Sequence, residues 1–168
     1  MISQLRSRQF GALSALVVIV LLTVFGLRNC TKSSGSERGY AEASMRILLR
    51  SYMIALNECD YDKIVGHYNS TFTLFQDGKT YNHDDALKLV LAQNSYYQHM
   101  ESSLDDIQVR VITADVAAAY LSFHQAAADK KGTITHRKGE ATWVAVRASG
   151  EWKFAYAHAW SVPDTVSQ

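Results

Sequence analysis

The stretch Gly139 to Pro163, GEATWVAVRASGEWKFAYAHAWSVP, constrains this chain more than any other. Two runs rich in aromatic and β-branched residues flank a short Gly-bearing turn at Ala148-Ser149-Gly150. That order predicts a β-hairpin. Period-two alternation over its second run puts Trp152, Phe154, Tyr156, His158 and Trp160 on one face. It puts Lys153, Ala155, Ala157 and Ala159 on the other. Bulky side chains on one face and small ones on the opposite face predict that both are covered. Pro163 lacks an N–H and ends the pairing.

The first thirty residues are a different material. Arg6 and Arg8 precede an uncharged apolar run, Gly11 to Leu27, closed by Arg28 and Lys32. Roughly 17 residues is the shortest helix that spans a bilayer, so residues 1–30 predict a signal peptide or membrane anchor. No small-x-small cleavage site follows, which favours a retained single-pass anchor with the domain outside the cytoplasm. Secretion, or a lipid anchor at Cys30, is the alternative. Residues 31–39, TKSSGSERG, predict a flexible spacer, residues 40–163 one domain, and residues 164–168 a tail. With 48% hydrophobic and 20% charged residues the chain is globular in composition. A formal net charge of +1 gives no basic footprint for nucleic acid.

Along the domain, Met45, Leu48, Leu49, Tyr52, Ala55 and Leu56 recur at helical spacing and predict a helix over 40–58. Asp60 is an N-cap for a short helix over 61–68. Phe72 to Phe75 read as a strand, Gln76 to Lys79 as a turn, and Asn82 or His83 as the start of a third helix. From Tyr96 the texture is β. One bent strand or two cover 96–113, the next covers 115–125, a turn covers 126–132, and 133–147 pairs back into the hairpin. Helices followed by an antiparallel run predict an α+β domain with helices on one face of a curved sheet.

Two stretches, RSYMIALNECDYDKIVGHYNSTFTLFQDG (Arg50 to Gly78) and the terminal hairpin, resemble the nuclear transport factor 2-like superfamily, in particular its SnoaL-like members. The resemblance covers Ala41 to Val162. It implies a cone-shaped antiparallel sheet wrapped around N-terminal helices, with a pocket at the wide end. Members include isomerases, cyclases, epoxide hydrolases and inert binding or assembly domains, so fold alone does not decide function. The ketosteroid isomerase branch places an oxyanion-hole tyrosine where Tyr52 stands. Its general-base aspartate falls on Gln76, with Asp77 one place on, and its second oxyanion donor falls near Thr142. An amide has no basic form at neutral pH, so that mechanism is not retained intact.

Three weak catalytic candidates follow: Tyr52 as electrophile and Asp77 or His158 as base. Each also has a structural reading: Tyr52 in the apolar stripe, His158 packed among aromatics. Tyr97, His99 and Glu101 alternate on a strand and offer His158 a partner set. Tyr52, Trp143, Tyr156, His158 and Trp160 are the candidate lining for a small apolar or amphipathic molecule. The aromatic row serves equally as a sheet-to-sheet dimer contact, and the resemblance implies a homodimer. The six histidines show no metal spacing, and no cofactor is implied. Three functions stay open: a binding module, an isomerase or lyase, and a dimeric assembly domain.

Overall fold

The computed structural model describes residues 35–164. The apolar run 11–27, Cys30 and residues 165–168 lie outside the described residues, and the anchor, signal and lipidation expectations fall there. Among the described residues no helix is long and apolar enough to cross a membrane.

Helix α1 spans Gly35–Asn57. It begins within the expected spacer, because Ser36-Glu37-Arg38 contains no breaker and Glu37 places an acid in the first turn. Ala41, Met45, Leu48, Leu49, Tyr52 and Ala55 form its buried stripe. Cys59, at φ 51°, closes the C-terminus. Its N–H reaches the Leu56 carbonyl and that of Asp60 reaches Ala55, both at 3.0 Å. The Asp60 carboxylate accepts from Lys63 N at 3.1 Å and caps α2, Tyr61–Gly66. This helix stops short of Tyr68, which instead opens strand β1, Tyr68–Gln76. Asp77 (φ 48°) and Gly78 (φ 82°) turn the chain into β2, Lys79–Tyr81. Asn82 accepts from Asp85 N at 3.0 Å and caps α3, His83–Tyr96.

Four long strands follow: β3 Tyr97–Thr113, β4 Val116–Asp129, β5 Ile134–Ala148 and β6 Glu151–Pro163. The expected turn over 126–132 is shorter, since β4 runs on to Asp129. The Asp129 carboxylate accepts from Lys131 N (2.8 Å) and Thr133 N (2.9 Å) and shapes the loop. Between β5 and β6, Ser149 (φ 54°) and Gly150 (φ 88°) form a two-residue turn of the primed type.

The sheet order is β2-β1-β6-β5-β4-β3. It is mixed, which corrects the purely antiparallel expectation: β6 is the free edge of the β3–β6 meander, and β1 joins it in parallel. The sheet curls around the helices without closing, with β2 and β3 as its two edges.

One irregularity decides where the hairpin's side chains go. Val144 pairs with Tyr156, yet Ala145 pairs with Phe154. Ala155 is therefore an extra residue, a β-bulge that reverses the alternation. The expectation of one aromatic face over Trp152–Trp160 is corrected accordingly. Before the bulge Phe154 points into the core; after it Ala157 does. Tyr156, His158 and Trp160 turn to the opposite face.

Gly139 is buried on β5 for want of room. A Cβ there would run into the Trp160 carbonyl oxygen and lie 2.8 Å from the Phe123 ring. Gly139→Ala is expected to cost about 1–3 kcal/mol by overpacking, read as a lower denaturant midpoint at unchanged m-value. An unchanged midpoint would mean that the strands part there without cost.

Candidate functional site

The inner face of the sheet and the buried stripe of α1 meet in an aromatic cluster. Tyr52 lies against Trp143 (ring centroids 4.9 Å apart), Phe154 (5.5 Å), His67 (5.7 Å) and Tyr68 (6.0 Å). Trp143 and Phe154 are 4.5 Å apart, and Tyr68 stacks on Phe72 at 4.1 Å. Ala157 is directly opposite Trp143. The small residue makes room for the indole, so the alanines of β6 do not leave the empty volume that a ligand needs.

The Tyr52 and Tyr68 hydroxyls share a buried hydrogen bond at 3.0 Å. Burial pushes the Tyr52 phenol up to about 12, against a smaller opposing effect of the bond from Tyr68. Burial, with the neighbouring Tyr52, also holds Tyr68 well above its ordinary value. Both hydroxyls are neutral at physiological pH, one donating to the other. The nearest imidazole is committed elsewhere: His67 Nδ1 lies 2.5 Å from the Lys63 carbonyl and Nε2 lies 2.9 Å from Ser51 Oγ. A carbonyl only accepts, so Nδ1 donates and Nε2 accepts the hydroxyl proton.

The raised phenols make an alkaline prediction. Below pH 10 folded and unfolded chains hold the same protons on Tyr52. Between pH 10 and about 12 only the unfolded chain ionises there, so stability falls as pH rises, by about 1.4 kcal/mol per unit. Tyr52→Phe is expected to cost about 1 kcal/mol at pH 7. It is also expected to remove about one proton from the stability slope between pH 10 and 12, measured by urea unfolding. A slope unchanged by the substitution would show that Tyr52 ionises freely in the fold.

The other candidates do not converge on Tyr52. Asp77 is exposed in the β1–β2 turn. Its carboxylate accepts from Ser161 N at 3.2 Å and faces Arg137 at 3.5 Å, tying the turn to β6 and β5. His158 is exposed on the outer face, opposite Thr142 and edge-on to Phe75 at 4.9 Å. Tyr156 and Trp160 share that face. His99 and Glu101 are exposed on the edge strand β3. The five residues expected to line one pocket therefore divide, Tyr52 and Trp143 inside and Tyr156, His158 and Trp160 outside. Among the hollows on the surface of the described residues are two of note. One, of about 360 Å³, is lined by Ser36, Glu37, Tyr40, Ala114 and Arg147. The other, of about 600 Å³, is lined by residues of β2 and α3, among them Lys79, Tyr81 and Lys88. Neither touches Tyr52. Among the described residues no three His, Cys, Asp or Glu side chains gather as metal ligands.

The sequence reading missed His67 and Tyr68 in this cluster. The helical pattern was carried through them, although the two positions precede Asn69-Ser70-Thr71, a run of strand and turn formers.

No protein-family model matches the chain, and no curated protein matches it. Solved structures do. A hexachlorocyclohexane dehydrochlorinase (LinA, type 2) superposes with a TM-score of 0.68 at 15% identity, covering 80% of this chain and 96% of that one. A putative dehydratase of the nuclear transport factor 2-like family from Streptomyces avermitilis gives 0.67 at 14%, covering 74% and 97%. The chain has the nuclear transport factor 2-like fold. A ketosteroid isomerase-like protein from Erwinia carotovora atroseptica adds a TM-score of 0.62 at 17% identity, covering 72% and 95%. Identities this low establish the fold of this nuclear transport factor 2-like domain and leave its chemistry to its own residues.

Proposed function

We propose that this domain is an assembly module that pairs with a second copy of itself through the outer face of its sheet, its interior serving as packed core. The observation that carries this reading is the division made by the bulge at Ala155. The rings needed for a pocket are packed against one another, while Tyr156, His158 and Trp160 stand on a face that no described helix covers.

Cross-strand registers arrange that face in rows. One row reads Arg110, Ala118, Val144, Tyr156, Thr73; the next reads Gln108, Tyr120, Thr142, His158, Phe75. Tyr120 and Trp160 are 41% and 45% exposed, beyond what isolated surface rings need. Beyond the second row lie Asp105, Glu140 and Trp160; beyond the first, Val116, Val146 and Lys153. The apolar band thus has Asp105 and Glu140 beyond one row and Lys153 beyond the other, with Arg110 at the β3 end of the first row. A twofold axis lying in the interface and running across the strands between the two rows stacks Tyr120 on Ala118 and sets Lys153 of each copy over Trp160 of the other, a reciprocal cation–ring pair. Self-complementarity of this kind favours a second copy over an unrelated partner. The apolar run 11–27, read as an anchor with the domain outside the cytoplasm, would concentrate the copies on one surface.

A second reading, a small-molecule binder or an isomerase or lyase, draws on the paired Tyr52 and Tyr68 donors and on the dehydratase and dehydrochlorinase names among the structural neighbours. It requires Trp143 to move aside and His67, the imidazole beside Tyr52, to give up its bonds to Lys63 and Ser51. Sedimentation equilibrium of the full chain in non-ionic detergent, with and without Tyr156→Glu, tests the choice. A dimer at pH 8 that Tyr156→Glu weakens at least 30-fold is expected, the loss of about one centrally placed anchor. A monomer at all concentrations would overturn the assembly reading.

A further inference from the structure

We propose that His158 makes this self-association pH-dependent, the sheet faces closing on neutral imidazoles and parting when these are protonated; this rests on the assembly reading above. His158 lies inside the apolar band. Phe75 meets it edge-on at 4.9 Å from β1. Thr142 is directly opposite it on β5, Tyr120 lies one strand further on β4, and Tyr156 and Trp160 flank it on β6. The twofold arrangement that pairs Lys153 with Trp160 sets His158 over Tyr156 and Val144 of the second copy. An imidazolium closed into such surroundings loses its water and gains no carboxylate in return.

The charged groups around it do not supply one. Glu140 stands on the diagonal position of β5, where its carboxylate faces the Tyr120 phenol on β4 and raises it above its ordinary value. Asp77, at the end of β1, is held by Ser161 N and Arg137. Lys153, on β6, lies toward the opposite flank beside Glu151 at 3.5 Å. Gln108 and Arg110, on β3, bring no negative charge. His124, on the same face, is placed differently. It lies 3.3 Å from the Asp164 carboxylate and 3.9 Å from Asp105, so its protonation is compensated. His99 and His136 are exposed at the rim.

An imidazole ordinarily titrates near pH 6.5. Two copies of His158 per dimer predict that association releases up to two protons below that pH. The dissociation constant should then rise as pH falls, by up to about 100-fold per unit. The test is the dissociation constant of the full chain in non-ionic detergent at pH 8, 7, 6 and 5.5, for wild type, His158→Gln, His158→Thr and His124→Gln. Circular dichroism at each pH confirms the fold. The wild type is expected to weaken steeply below pH 6.5, with His124→Gln following it and both His158 variants flat. A wild-type dimer equally tight at pH 8 and 5.5, or a His158 variant that keeps the steep dependence, overturns the pH inference and leaves the association standing. A monomer throughout overturns the association, and the inference with it.

Discussion

Replacing Trp143 by alanine is expected to cost about 3–5 kcal/mol and to lower the thermal midpoint by about 10–20 °C. The reason is geometric. The indole fills the space between α1 and the sheet, with Tyr52 at 4.9 Å, Phe154 at 4.5 Å and Phe72 at 6.4 Å. Removing it leaves rings on three sides and the small Ala157 on the opposing strand, a site with little capacity to collapse. A dry apolar cavity of that kind binds small aromatic molecules. Indole is therefore expected to raise the midpoint of the Trp143→Ala variant and to leave that of the wild type unchanged. Calorimetric scans with and without indole check both parts. A wild type that binds indole as well as the variant does would reveal an interior pocket already open, and would restore the small-molecule reading.

Deleting Ala155 is expected to abolish the folded domain. The bulge reconciles two demands on β6. Phe154 must face inward beside Ala145 and Tyr68, while Tyr156 must face outward beside Val144 and Thr73. Without the extra residue, either segment can satisfy its pairing only by turning the other over. Turning the C-terminal segment over drives Tyr156, His158 and Trp160 into space now taken by Ala157 and Ala159. Against a typical stability of about 5–15 kcal/mol this overpacking is not survivable. Ala155→Ser keeps the extra residue and serves as the tolerated control. Circular dichroism and resistance to proteolysis report the outcome; a cooperatively folding deletion variant would show that the bulge can migrate along β6.

These two sites also mark where the sequence was legible and where it was not. Local chemistry was plain to read. Asp60 and Asn82 cap helices because their side chains bond the backbone two or three residues on. Asp77-Gly78 and Ser149-Gly150 turn because those positions need positive φ. The stripe of α1 put Tyr52 in the core by helical period alone. The bulge had no such signature. It arises because β6 must pair with β5 on one side and β1 on the other, and a parallel partner some eighty residues earlier leaves no trace in the spacing of Trp152, Phe154 and Tyr156. Strict alternation was the natural reading, and it put on one face five side chains that the bulge divides between two. The same long-range pairing makes Ala157 of β6 the clearance for Trp143. Charge patterning on the outer face was likewise hidden, since Asp105, Glu140 and Lys153 come to border the apolar band only once the registers of four strands are known.

The central claim, that the outer face of the sheet associates while the interior stays packed, is tested most directly by hydroxyl-radical footprinting of the full chain across a concentration series at pH 8. Modification of Trp160, Tyr156 and Tyr120 is predicted to fall together as concentration rises, with Trp143 and Tyr52 protected throughout. Equal modification of Trp160 at every concentration, or modification of Trp143 in the dilute protein, would contradict it.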